Sequence, residues 1–311
     1  MVGITFRIGK IPVRILPSFF IMAALFGMWL SNPIKIVGWV VVVLASVIVH
    51  ELGHAVMGQA FGLQPSIALH GTGGTTSWAG SRRLSPGKRI AISLAGPVAG
   101  FGLGALVVAA TFLGRGGSHA EPVSASSELG SVLAGELIYV NFAWGVLNLL
   151  PILPLDGGNV MAQVLGAMRP GRSERPAHLI SIALAGVCAV AALMTRAYWP
   201  AILAASFVSM NWQALRALSA AEHDAPLRAT LEQAYAALEA KDAGRLLSLA
   251  RPVALQGRTD SVRAEALQLL AFGFLLDDRL ADADAAIAAM PKGFLPHASL
   301  VDLRKTVAGP R

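Results

Sequence analysis

From Ile36 to Phe61 the chain runs 26 residues in which His50, Glu51 and His54 are the only ionisable side chains. A helix of that length rises about 39 Å, more than the ~30 Å hydrocarbon core of a bilayer. Runs of similar character cover Ile15 to Leu30, Ile90 to Leu113, Ser131 to Leu150, Leu179 to Met194 and Ala197 to Leu215. In lipid the backbone has no water to bond, so each run must close its own hydrogen bonds as a helix. Charged residues make up 14% of the chain and its mean hydropathy is +0.61, against about 25% charged in soluble domains. An ordinary soluble protein is excluded. The expected fold is mainly α: a polytopic membrane protein with six transmembrane helices, a short membrane-associated β-hairpin and a small α-helical cytoplasmic domain.

The net charge of +7 does not call for a nucleic acid. Before Glu222 there are 14 basic and 6 acidic residues, and from Glu222 onward 11 and 12. The excess belongs to the apolar part, where basic residues flanking membrane spans favour the cytoplasmic side and anionic headgroups. With the N-terminus inside, six spans put Arg7, Lys10, Arg14, Arg82, Arg83, Lys88, Arg89, Arg169, Arg172, Arg175 and Arg216 on that side, and Lys35, Arg115 and Arg196 outside. Trp29, Trp39, Tyr198 and Trp199 then fall at the outer interface as aromatic anchors. The basic N-terminal flank resembles the start of a signal peptide, yet no small-residue cleavage site follows, so Ile15 to Leu30 reads as a retained span. Cys188 is the single cysteine, which rules out an internal disulfide and a multi-cysteine zinc site.

Between the second and third runs, Gly62 to Ser85 is rich in Gly, Thr and Ser. Ile67 to His70 and Thr75 to Trp78 flank Gly71, Gly73 and Gly74 as a hairpin or an extended loop would. In the third run Gly96, Gly100 and Gly104 clear one helix face for a neighbour, which reads as a packing seam without chemistry. Two domains are expected: 1–221 in the membrane and 222–311 as a helical cytoplasmic domain. In the latter, Leu267, Leu270, Ala271, Phe274, Ala283 and Ile287 bracket a turn at Asp277 and Asp278, a pattern that resembles a tetratricopeptide repeat. Leu231, Ala234, Tyr235 and Leu238 are the start of an earlier copy or part of a plain helical bundle.

The chemistry concentrates in His50-Glu51-Leu52-Gly53-His54. Four residues apart on a helix, the two imidazoles share a face and can both bind Zn²⁺, with Glu51 beside them. An ionisable cluster at membrane depth is too costly to be idle. A catalytic zinc site takes a third protein ligand, and Asp156 is the candidate. If the second and fourth spans both run from outside to inside, Asp156, just beyond the fourth, reaches the depth of His50 and His54. Glu136 lies higher in the fourth span and reads as an interfacial or helix-start carboxylate. His70 reads as a polar loop residue, and His119, His178, His223 and His297 stand isolated.

HELGH in an apolar span, followed by Asn148-Leu-Leu-Pro151-Ile-Leu-Pro154-Leu-Asp156-Gly157-Gly158, resembles the site-2 protease family of intramembrane zinc metalloproteases. Ile92 to Gly100, with its Ala-Gly-Pro, resembles that family's third core helix. The resemblance covers Leu16 to Leu215. It implies one Zn²⁺ held by His50, His54 and Asp156, Glu51 as the catalytic base, and Asn148 lining the site to hold substrate or stabilise an oxyanion. A helical substrate has to be unwound before its peptide bond is attacked. Gly71, Gly73, Gly74 and Thr75 are the residues expected to offer it an edge, the alternative being an inert connection.

These readings imply a membrane-anchored protein substrate, a multi-pass location in the cell membrane if the source is bacterial, and no nucleic-acid partner. A cytoplasmic peptide or protein is the expected partner of 222–311. A di-iron oxygenase needs more histidine boxes than seven histidines with one ligand pair supply. A non-proteolytic metal-dependent transporter or scaffold is the other alternative, and it has no use for the free carboxylate of Glu51.

Overall fold

The computed structural model describes residues 3–30, 32–80, 84–115, 125–168, 174–294 and 297, with the side chains at 29, 114, 115 and 125–128 also outside the description. Arg82, Arg83, Arg169, Arg172 and His119, with the side chains of Arg115 and Trp29, therefore lie outside the described residues. The chain divides into two compact units, Met1–Asn211 and Trp212–Arg311. Their boundary falls within one helix, which also contains the boundary expected after Ala221.

The first unit opens with β1 (Ile4–Ile8) and β2 (Ile11–Ile15), an antiparallel hairpin turned at Gly9-Lys10. Gly9 has φ 58°, the left-handed first turn position that a Gly-x hairpin uses. Along β2, Ile11, Val13 and Ile15 are buried while Arg14 is exposed, the alternation of a half-buried strand. α1 (Pro17–Gly27) follows directly, with a 3₁₀ turn at Met28–Leu30. The expected first span is thus a strand end and an 11-residue helix, only about 17 Å long.

α2 (Pro33–Ala60) starts sharply, because the Asn32 side chain accepts from the amides of Ile34 and Lys35 and Pro33 presets the first helical φ. It ends at Gly62, whose φ of 80° closes the helix in the left-handed region. The chain then forms β3 (Gln64–His70) and β4 (Gly73–Ala79), the expected hairpin. The four strands make one sheet in the order β1-β2-β3-β4, with β2 and β3 parallel. Val13, Ile15, Ile67 and Leu69 pack from the sheet onto Phe19 and Ala23 of α1 and Val47 and Ala55 of α2. Trp78 lies across Gly58, where any side chain would collide with its ring. The sheet is therefore seated against α2, next to the histidines.

α3 (Pro86–Arg115), α4 (Ala125–Asn148), α5 (Asp156–Met168), α6 (Glu174–Met194) and α7 (Tyr198–Glu239) complete the apolar part. Gly38 packs on Leu133, and Asn141 donates to Ser46 Oγ at 2.9 Å. Both pairs share one sequence offset, so α2 and α4 run parallel, as the depth argument for Asp156 requires. α3 runs antiparallel to them: Gly53 meets the Ala95 carbonyl, Gly104 meets Phe142 and Gly145 meets Phe101.

Four helices are long and apolar enough to cross a membrane, by length and composition: α2, Pro86–Leu113 of α3, Leu129–Asn148 of α4, and α6. The sixth expected span forms the start of α7, where Tyr198, Trp199, Asn211 and Gln213 dilute the apolar run. Trp39 is a packing residue as well as a predicted anchor: its indole N–H donates to Ala23 O at 3.1 Å and its ring covers Gly27.

The second unit continues α7 into α8 (Ala243–Gln256), α9 (Asp260–Leu276) and α10 (Leu280–Ala288). Its core joins Leu231 and Ala234 of α7 with Leu246, Ala250, Leu269, Leu270, Ala271, Phe274, Ala283 and Ile287. The turns after α7 and α9 are alike, each with one residue at positive φ, Lys241 at 55° and Asp278 at 56°. Asp242 and Arg279 then donate back to Ala237 O and Phe274 O.

Candidate metal centre

His50, Glu51 and His54 are all buried on the last turns of α2. The two Nε2 atoms lie 3.2 Å apart. Asp156, the first residue of α5, reaches them from across the unit, with Oδ2 3.1 Å from His50 Nε2 and Oδ1 3.4 Å from His54 Nε2. Asp156 owes its place to a broken helix. α4 stops at Asn148, Pro151 and Pro154 have no amide hydrogen to continue it, and the chain doubles back into α5. Only glycine fits the return, because a Cβ at Gly157 would strike the carbonyls of Leu149 and Leu150, and one at Gly158 the backbone of Ile152.

Two imidazole nitrogens 3.2 Å apart, with one Asp156 oxygen 3.1 Å from the first and the other 3.4 Å from the second, suit zinc. Bonds of about 2.0–2.1 Å in tetrahedral directions separate neighbouring donors by about 3.4 Å. The His54 tautomer suits it too. Nδ1–H donates to Ile92 O at 2.7 Å, which leaves the Nε2 lone pair facing His50 and Asp156. The ligand atoms of His50, Glu51 and His54 also lie within 4.8 Å of one another. Glu51, however, is engaged elsewhere: the Thr76 hydroxyl of β4 donates to its Oε2 at 2.6 Å.

Gly74 of the predicted substrate segment lies against the Glu51 carboxylate, where a Cβ would stand 2.5 Å from Oε1. Gly73 has φ 126° and faces Trp144. The other two residues point elsewhere: the Gly71 amide donates to Ser18 Oγ at 3.2 Å, and Thr75 Oγ1 lies 2.8 Å from His70 Nε2. His70 is occupied by Thr75 and Thr72 in the hairpin turn, away from the metal ligands. Asn148 is buried at the end of α4, and the shared offset of α2 and α4 sets it level with Gly53, the residue before His54. Glu136 is buried in mid-helix rather than at a helix start, and its Oε2 has no partner among the described residues.

Two contacts at the centre escape the sequence reading. Thr76 is the residue that meets Glu51, and its signal lies in the β3–β4 register, which pairs it with Ile67. Gly96 is more than a packing residue. A Cβ there would run into His54 Nε2 and stand 2.8 Å from His50 Nε2, so its missing side chain makes room for both imidazoles.

The family model described as peptidase family M50 matches residues 124–194. The protein sll0528 of Synechocystis sp., named as a zinc metalloprotease, is 31% identical over 176 residues, 51% of this chain and 44% of its own. Rip3 of Mycobacterium tuberculosis, also named as a zinc metalloprotease, is 32% identical over 218 residues, 66% of this chain and 50% of its own. The chain thus spans about half the length of these curated relatives. In fold it is similar to the site-2 protease from Methanocaldococcus jannaschii, with a TM-score of 0.50 and 21% identity over 69% of this chain and 95% of that one. Residues 124–194 thus match peptidase family M50, the two curated relatives are named as zinc metalloproteases, and the fold is similar to that of a site-2 protease.

Proposed function

We propose that this chain is an intramembrane zinc metalloprotease that hydrolyses a peptide bond in or near the transmembrane segment of a membrane-anchored protein. The observation that carries the reading is the meeting of His50, His54 and Asp156 within 3.1–3.4 Å at the end of a helix long and apolar enough to span a bilayer. These three residues hold one zinc ion. When bound, zinc supplies Lewis acidity, polarising the scissile carbonyl and acidifying the attacking water.

Glu51 takes the water's proton and delivers it to the leaving amine nitrogen as the C–N bond breaks. Thr76 holds the Glu51 carboxylate in line for that transfer. Asn148 binds substrate or the developing oxyanion. β4 is an edge strand of the sheet, and an unwound substrate adds to it along Gly73, Gly74 and Thr75, with Gly71 in the turn beside them.

In the membrane, α1, too short to cross by itself, continues through the turn Met28–Leu30 as a short span, and it and the start of α7 accompany the four longer helices to give six spans, with the N-terminus and residues 222–311 cytoplasmic, as the eleven-to-three bias of basic residues favours. Within 222–311, the end of α7 with α8, and α9 with α10, form tetratricopeptide-like helical hairpins, a reading supported by the matching turns at Lys241 and Asp278, and they take a cytoplasmic peptide or protein. Deletion of 222–311 should narrow the substrate range or change the rate, and unchanged cleavage would refute recruitment.

The test of the activity is co-expression with a panel of tagged single-span membrane proteins. Wild type should release a soluble fragment from at least one of them, and Glu51→Gln from none. Equal release by both proteins would overturn the assignment.

A further inference from the structure

Leu153, in the loop between α4 and α5, has both of its peptide groups bonded from outside that loop. Its N–H donates to Ser181 Oγ of α6 at 2.9 Å, and its carbonyl accepts from Asn211 Nδ2 of α7 at 2.6 Å. The neighbouring amides turn inward, Ile152 to Leu150 O and Leu155 to Ile152 O, while Pro151 and Pro154 have none to offer.

The two anchors are themselves fixed. Asn211 Nδ2 also donates to Phe207 O at 2.8 Å, so its Oδ1 is left to accept, and His178 Nδ1–H fills it at 2.8 Å. Ser181 donates its hydroxyl hydrogen to Ala177 O at 2.8 Å, which leaves its oxygen lone pairs for Leu153. Asn211 and Ser181 are 2% and 0% exposed. Buried polar groups in apolar helices are costly, and here both converge on one residue, three before Asp156. Pro154 stiffens the link between them. A shift of Leu153 is therefore passed to Asp156, and metal affinity depends on ligand positions held to about 0.2 Å.

We infer that Ser181, Asn211 and His178 form a clamp on Leu153 that positions Asp156 for the metal and so sets zinc affinity. They act through the loop and touch neither metal nor substrate. The inference rests on Asp156 being a zinc ligand, as proposed above.

The test uses the full-length chain in detergent. Zinc affinity is measured by competition with a chromophoric chelator, the visible spectrum is recorded with Co²⁺ in place of zinc, and thermal unfolding is followed in parallel. Asn211→Leu and Ser181→Ala should each weaken zinc binding by about tenfold or more and change the cobalt bands. Trp39→Phe, which removes the Ala23 bond between α1 and α2, should lower thermal stability and leave affinity and spectrum alone. If Asn211→Leu does not fold, Ser181→Ala, which removes a single oxygen, carries the test. Wild-type affinity and spectrum in the clamp variants would overturn the inference. A wild-type chain that binds no zinc would overturn the ligand assignment, and the clamp with it.

Discussion

The Thr76 hydroxyl of an edge strand donates to the Glu51 carboxylate at 2.6 Å, although 25 residues separate them. A hydrogen bond to a charged group contributes about 1.5–3 kcal/mol, enough to fix which way the proposed base points. Thr76→Val keeps the β-branched shape and loses the donor. It should lower kcat by about tenfold while zinc content stays at the wild-type level. Unchanged kcat with the hydroxyl gone would remove Thr76 from the mechanism.

Glycine is required at one place on α3 and tolerated at another. Gly96→Ala brings a methyl group against both imidazoles and should reduce zinc binding below detection in a metal assay of the purified protein. Gly102→Ala faces open space and should leave zinc unchanged, with a stability gain of about 0.5–1 kcal/mol from helix propensity. Equal zinc content in the two variants would mean that α3 does not shape the centre.

Asn148 ends α4 at the depth of the histidines but is not among the converging donors. Asn148→Ala should therefore keep its metal and lose about 10²-fold or more in kcat, the scale for removing one oxyanion donor. Loss of zinc along with activity would make it a structural support of the loop instead.

In the second unit Asp224 is almost fully buried and accepts from the Thr259 hydroxyl and the amides of Arg258 and Thr259, with His223 beside it. Burial alone would raise its pKa, but the bonds from Thr259, Arg258 and His223 outweigh burial and hold the carboxyl far below its usual range. A depressed folded-state pKa stabilises above the unfolded value of about 3.9, and that contribution fades as pH falls toward the folded value. At pH 7 Asp224→Ala should destabilise the unit by about 2–3 kcal/mol, read from urea-induced tryptic cleavage of the full chain. The gap between wild type and variant should narrow near pH 3, and a constant gap would contradict the depressed carboxyl.

The meeting of His50, His54 and Asp156 was legible because its parts are local or symmetric. His50 and His54 share a helix face through their spacing alone, and Asp156 follows from two spans running the same way, which the Gly38–Leu133 and Ser46–Asn141 contacts bear out. What was not legible depends on partners. Thr75 and Thr76 are adjacent and point to opposite faces of β4, so only the pairing with β3 decides which one meets Glu51. Glycines spaced by four announce a close neighbour without saying that, at Gly96, the neighbour is an imidazole. The alternation in Ile4 to Ile15 was hidden because its arginines and lysine also suit the flank of a membrane span. Ser181, His178 and Asn211 did carry a signal, being polar residues in apolar helices, but nothing in the sequence shows that they share one loop.

The central claim is that Asp156 is a ligand and Glu51 is not, although both stand near His50 and His54. The direct measurement is zinc per chain in purified wild type, Glu51→Gln and Asp156→Asn, with cleavage of a single-span substrate assayed on the same samples. Wild type and Glu51→Gln should each hold close to one zinc with cleavage lost in the latter, and Asp156→Asn should lose both. Zinc lost from Glu51→Gln and retained in Asp156→Asn would contradict the account.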